Sequence, residues 1–169
     1  HDLHMEYFDV PEFIGECLIV VNDRAAEMGL ALSNTITDDV PHLFADRRAV
    51  QQCVLNLLSN ATKFTPKGGT VTLSHRTTDK WFDLIVTDTG IGIADADLPT
   101  ILQPFTQVER TKTARFHEGT GLGLTITRNL IEMHGGKLLF KSEVGVGTQA
   151  TIRLPRGPLP QDDAAKVPC

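Results

Sequence analysis

Strand-length apolar segments come in adjacent pairs along this chain, and amphipathic helical segments separate the pairs. Residues 70–76 and 81–87 are joined by the polar turn Thr78-Asp79-Lys80. Residues 137–142 and 148–154 flank a second turn, Val144-Gly145-Val146-Gly147. Strands joined by so short a connection pair antiparallel. Strict alternation of strand and helix, the pattern of an all-parallel sheet, is not what this order shows. The expected fold class is α+β: a two-layer α/β sandwich, with a mixed, mostly antiparallel sheet and helices packed on one face.

The helical segments are legible from local signals. Phe13, Ile14, Cys17, Leu18, Val21 and Ala25 recur at helical spacing behind Pro11, up to Gly29. Asp46 is a suitable N-cap for a helix running to Phe64, which Pro66-Lys67-Gly68-Gly69 ends. Asp95 is expected to cap a short helix through Leu102, and a last helix runs to His134 before Gly135-Gly136. Short strands are expected at residues 8–10, 30–36 and 43–45. Residues 106–118 are polar and without periodicity, which reads as a mobile loop. From Pro155 the chain is rich in Pro, Asp and Ala and is expected to be disordered.

Composition bounds the function. The 169 residues suffice for one domain with a real core, and 41% hydrophobic with 22% charged residues suits a globular protein. A formal net charge of -5 argues against a nucleic-acid binder, which needs a basic surface. No apolar run is long enough to span a bilayer, so a cytoplasmic location is expected, with an inner-membrane anchor left open for the full-length protein. Cys17, Cys53 and Cys169 match no metal-binding spacing, and the first two sit in apolar helical stretches as buried thiols do.

Three segments carry chemistry. On the helix ending at Phe64, residues Asn56, Asn60 and Lys63 share a face within about 60° of arc, opposite Val50, Val54, Leu58 and Ala61. A solvated polar stripe has the same pattern. Two amides and a lysine in register also suit a metal–phosphate site, since an amide oxygen is a hard ligand for Mg2+ and lysine attracts phosphate. The second segment, Asp88-Thr89-Gly90-Ile91-Gly92-Ile93, follows a strand directly. Its carboxylate can accept from an exocyclic amine such as that of adenine, and its glycines permit close approach; a tight turn needs the same residues. The third, Gly119-Thr120-Gly121-Leu122-Gly123, opens a helix, where backbone N–H groups favour phosphate. It is neither a Rossmann fingerprint nor a Walker loop.

In this order the three segments resemble the N, G1 and G2 boxes of the histidine-kinase branch of the Bergerat-fold (GHKL) ATPases, and Pro104-Phe105 resembles the F box. The resemblance runs from about residue 8 to 155. It implies that Asn60 is the main Mg2+ ligand with Asn56 beside it, that Lys63 approaches phosphate, and that Phe64 lies near the nucleotide. It implies further that Asp88 holds the adenine amine and that Gly90 and Gly92 line the pocket. Gly119, Thr120, Gly121, Leu122 and Gly123 would form the phosphate-side hinge of a lid at residues 106–118, with Arg110, Lys112, Arg115 and His117 as a phosphate clamp. The implied cofactors are ATP and Mg2+.

Hydrolases of this superfamily carry a glutamate base where Asn56 stands, and an amide is no base. The expectation is therefore a protein-histidine kinase of two-component signalling. None of His1, His4, His42, His75, His117 and His134 is followed by an acidic residue and then proline, as a phosphoacceptor would be. The histidine is expected on a separate dimerisation domain of the same kinase. Residues 1–7 would then be the end of that domain, 8–155 the catalytic domain, and 156–169 a tail. A response regulator is the second implied partner. The full-length protein is expected to be a homodimer and this piece a monomer. A degenerate nucleotide-binding module and an anti-sigma-type serine kinase share the same fold and remain alternatives.

Overall fold

The computed structural model describes residues 2–102 and 123–158. The elements are β1 (Met5–Phe8), α1 (Val10–Glu27), β2 (Ala31–Asn34), β3 (Leu43–Asp46), α2 (Arg47–Phe64), β4 (Thr70–Thr77) and β5 (Trp81–Asp88). After a 3-10 turn at Asp95–Asp97 come α3 (Leu98–Ile101), α4 (Gly123–Met133), β6 (Lys137–Glu143) and β7 (Gly147–Pro155). The expected fold class holds. Among the described residues a five-stranded sheet runs in the order β2-β4-β5-β7-β6, with β1 and β3 as a separate ribbon. Only the β2–β4 pair of the larger sheet is parallel.

Strand periodicity decides where the core sits. Val71 and Leu73 of β4, Phe82, Leu84 and Val86 of β5, and Ala150, Ile152 and Leu154 of β7 all point to one face. There they meet Phe13, Ile14, Cys17 and Val21 of α1, Val50, Cys53, Val54, Leu57, Leu58 and Ala61 of α2, and Ile131 of α4. Each fully buried aliphatic or phenyl side chain contributes about 1.5–3 kcal/mol. On the other face, Asp83 and Arg153 stand opposite each other in the β5–β7 register. They form a two-bond pair, Nε to Oδ1 at 2.8 Å and Nη2 to Oδ2 at 2.9 Å, which fixes that register.

Two local expectations need correction. The first strand is Met5–Phe8, paired antiparallel with β3, not residues 8–10; helix α1 already begins at Val10. Phe8 at the end of this strand enters the core, and Pro11 sits in the first turn of α1. Asp95 is not a cap: it lies inside the 3-10 turn, Ala94 precedes it, and no side-chain cap bond forms. The tail from residue 159 lies outside the described residues. Among the described residues no helix is long and apolar enough to cross a membrane.

Candidate functional site

Helix α2 is set by its ends. The Asp46 carboxylate accepts from the Ala49 N–H at 3.1 Å, satisfying one of the orphan donors of the first turn. At the other end the Thr65 hydroxyl donates to the Ala61 carbonyl at 2.6 Å. Between these limits Asn56, Asn60 and Lys63 are half-buried, on the opposite side of the helix from Val50, Val54, Leu58 and Ala61. Asn56 meets α4: its Nδ2 donates to the Thr127 hydroxyl oxygen at 3.1 Å and toward the Gly123 carbonyl at 3.4 Å.

Asp88 ends β5. Its Oδ1 accepts from the Gly90 N–H at 2.8 Å and the Thr148 N–H at 3.2 Å. Burial raises the Asp88 pKa above the usual carboxylate value, and these two backbone donors work in the opposite direction. The glycines that follow are required by close contacts. A Cβ on Gly90 would lie 2.5 Å from the Phe64 carbonyl oxygen. One on Gly92, whose φ is +75°, would lie 2.1 Å from the Glu143 carbonyl oxygen. Backbone bonds close the assembly: Ile91 N–H to the Phe64 carbonyl at 3.1 Å, and Gly145 N–H to the Ile91 carbonyl at 2.8 Å. The loop is thus held between the end of α2 and the β6–β7 turn.

The third segment is described only from Gly123, which opens α4. Gly119, Thr120, Gly121 and Leu122, the basic residues Arg110, Lys112 and Arg115, His117, and Pro104-Phe105 lie outside the described residues. The flanks of that stretch meet, because the Thr125 hydroxyl donates to the Leu102 carbonyl at 2.8 Å. A small apolar cluster around Ile101 joins Phe64, Ile91, Ile93, Leu98, Leu124 and Phe140. The end of α2, the Asp88 loop and Gly123 at the start of α4 therefore converge: Phe64 contacts Ile91, and Asn56 contacts Gly123.

Sequence reasoning missed several members of this site. Gly147 and Thr148 had been read only as parts of a hairpin, yet a Cβ on Gly147 would lie 2.0 Å from the Asp88 carbonyl oxygen. Ser142 receives the Ile93 N–H at 2.7 Å and bonds Thr148 at 2.8 Å. Thr127, fully buried, had no assigned role. Closely spaced glycines before Thr148 were a signal, but their partner lies on a different strand.

Chemically, the donor set suits a cation that arrives with phosphate. No cluster of three or more His, Cys, Asp or Glu able to hold a metal exists among the described residues. The Asn56 and Asn60 amides fit Mg2+, which takes few protein ligands and keeps phosphate and water oxygens.

Residues 45–158 match the family described as "Histidine kinase-, DNA gyrase B-, and HSP90-like ATPase". The chain is 41% identical over 155 residues to an uncharacterized sensor-like histidine kinase of Rhizobium meliloti, covering 92% of this chain and 29% of that protein. It is 36% identical over 154 residues to the histidine protein kinase DivJ of Caulobacter vibrioides, covering 91% and 26%. The chain thus spans less than a third of the length of these relatives. Among solved structures, full-length ShkA in complex with AMPPNP superposes with a TM-score of 0.83 at 26% identity, over 95% of this chain and 33% of that one. The mycobacterial sensor histidine kinase MprB gives 0.75 at 27%, over 92% of this chain and 100% of that one. With the polar face of α2, the Asp88 loop and the start of α4 brought together on this sandwich, the chain belongs to the histidine kinase-, DNA gyrase B-, and HSP90-like ATPase family, as a catalytic domain of the histidine-kinase type.

Proposed function

We propose that this domain binds ATP with Mg2+ and donates the γ-phosphoryl group to a histidine on a separate dimerisation domain of the same kinase. The observation that carries this reading is the convergence of α2, the Asp88 loop and the start of α4. Asp88 reads the adenine amine through Oδ2, because Oδ1 already takes two backbone bonds. Gly90 and Gly92 keep the pocket wall thin, and Phe64 borders it. Lys63 supplies positive charge to the phosphates. Asn60 is the principal metal ligand, with Asn56 beside it. Held there, Mg2+ would supply positive charge to offset that of the phosphates. Gly119, Thr120, Gly121, Leu122 and Gly123 flank the phosphates, and Arg110, Lys112 and Arg115 clamp them.

The same reading takes 8–155 as the catalytic domain, to which the Met5–Phe8 strand adds through its pairing with β3, and 156–169 as a tail. The full-length kinase is read as a cytoplasmic-facing homodimer that passes its phosphoryl group to a response regulator. Buried free thiols at Cys17 and Cys53 support a reducing compartment.

Phosphotransfer breaks the bond between the γ-phosphorus and ADP and forms a phosphorus–nitrogen bond to imidazole. Positioning carries most of such a step, so a domain without a base can perform it in trans. Asn56 supports this: its nitrogen faces a carbonyl, and a carboxylate base there would meet that carbonyl's negative end. The experiment is radiolabelled ATP with the isolated domain, alone and with the helical domain. The domain alone is expected to bind the nucleotide saturably without labelling itself. The pair is expected to yield acid-labile, base-stable label, and Asn60→Ala to abolish it. Absence of saturable binding refutes the reading. Acid-stable label on serine favours the anti-sigma-type kinase, binding without transfer favours a regulatory module, and brisk turnover by the lone domain favours an ATPase.

A further inference from the structure

We infer that Thr127 is a positioning residue that holds the Asn56 amide in the orientation the Gly123 carbonyl selects, and so keeps its oxygen available to the metal–phosphate side of the site. This inference rests on the ATP–Mg2+ reading above and extends it to a residue that contacts neither ligand.

An asparagine side chain has a donor end and an acceptor end, and rotation by a half turn exchanges them. The neighbours decide between the two. One end of the Asn56 amide lies 3.4 Å from the Gly123 carbonyl oxygen, which can only accept. The same end lies 3.1 Å from the Thr127 hydroxyl oxygen. That end must be Nδ2, whose two hydrogens serve the two acceptors. Oδ1 then takes part in neither of these two bonds. A metal ion needs the oxygen; the nitrogen has no lone pair to offer it. The Gly123 carbonyl selects which end faces α4, since a hydroxyl could as well donate to Oδ1; the shorter bond to Thr127 then holds the selected end in place. Thr127 is fully buried against α2, where its backbone carbonyl lies 3.8 Å from the Cys53 sulfur. Its hydroxyl therefore holds a set position.

Thr127→Val removes the hydroxyl while keeping β-branching and size, and Thr127→Ser restores it. Two affinities are compared in wild type and both variants: that of ADP in excess EDTA, and that of Mn2+ for the ADP-bound domain, read by electron paramagnetic resonance. The valine variant is expected to bind Mn2+ about three- to tenfold more weakly, the range set by one lost hydrogen bond. ADP affinity in EDTA is expected to stay unchanged, and serine to recover the metal affinity. Unaltered Mn2+ affinity in Thr127→Val overturns the inference. So does an equal loss with and without metal, which marks a merely structural role. A wild type that binds no nucleotide refutes the underlying reading itself, and with it the inference. Should the valine variant fail to fold, the wild type decides by nuclear magnetic resonance. Slowed exchange of the Asn56 side-chain NH2 protons supports the inference, and exchange as fast as that of a solvent-exposed amide overturns it.

Discussion

The Asp88 carboxylate accepts from the Thr148 backbone N–H at 3.2 Å, although the two residues are 60 positions apart. The bond crosses the β5–β7 ladder, in which Asp88 stands opposite Thr148. The same oxygen receives the Gly90 N–H at 2.8 Å. One atom of the carboxylate thus ties the Asp88 loop to β7, and the proposed reading assigns the other to the adenine amine.

Asp88→Asn is expected to separate those two tasks. The asparagine oxygen can still accept from Gly90 and Thr148, so the fold should survive with little change in melting temperature. The new nitrogen sets a donor against the adenine amine, and nucleotide affinity should fall by about 1.5–3 kcal/mol. Calorimetric titration with ADP measures this; unchanged affinity refutes the adenine role. Burial holds the Asp88 carboxyl protonated to higher pH than an ordinary carboxylate. Affinity should therefore already weaken as pH falls through the upper part of the carboxylate range.

Gly145 and Gly147 should respond differently to alanine. Both have positive φ, +82° and +149°. Around Gly145 nothing lies within 4 Å of an added Cβ, so Gly145→Ala should cost about 1–2 kcal/mol of backbone strain and leave nucleotide affinity intact. At Gly147 the Cβ would collide with the Asp88 carbonyl. Gly147→Ala should cost about 3 kcal/mol or more and weaken ADP binding, since relief must push Asp88 away. Urea unfolding with parallel ADP titration checks both; equal effects on affinity contradict the contact.

Asp46 links helix capping to pH. Burial, the largest influence, acts to raise its pKa, but bonds from the His4 and Ala49 N–H groups, with the nearby imidazoles of His134 and His4, together lower it. A lowered folded-state value means that the stabilisation is fully present above the unfolded carboxylate value. It is lost as pH falls through the folded value. Asp46→Ala should cost about 0.5–2 kcal/mol at neutral pH, and the difference from wild type should shrink on acidification. Chemical denaturation across a pH series tests this, and a difference that grows toward acid reverses the assignment.

Burial pushes the Cys17 and Cys53 thiols up to about 12, so at neutral pH neither forms the reactive thiolate. With Cys169 replaced by Ser, labelling by a thiol reagent should proceed only as fast as the protein opens. Urea should accelerate it in step with unfolding. Rapid stoichiometric labelling of the folded domain contradicts the packing of α1 and α2 described above.

Helix α2 was legible almost residue for residue. Its signals are local: apolar spacing from Val50 to Ala61, the Asp46 cap three residues from its partner Ala49, and the break at Pro66. The β4–β5 and β6–β7 hairpins were legible for the same reason, since a short turn brings its own strands together. Asp95 misled because a capping residue type is also common inside short turns, and a turn this brief carries no periodicity to correct the reading. The Asn56–Asn60–Lys63 face could be drawn on a helical wheel, but the wheel does not say what the face meets.

Sequence alone determined the helix and hairpin segments and the residue types available at the site, because bonds and steric limits within a few residues specify them. Tertiary structure decided which of those residues meet. The parallel β2–β4 pairing, the Met5–Phe8 strand against Leu43–Asp46, the Thr148 bond to Asp88 and the Thr127 bond to Asn56 all join distant parts of the chain. Each depends on strand order and helix packing, which follow from burying one common core, and no short stretch of sequence contains that information.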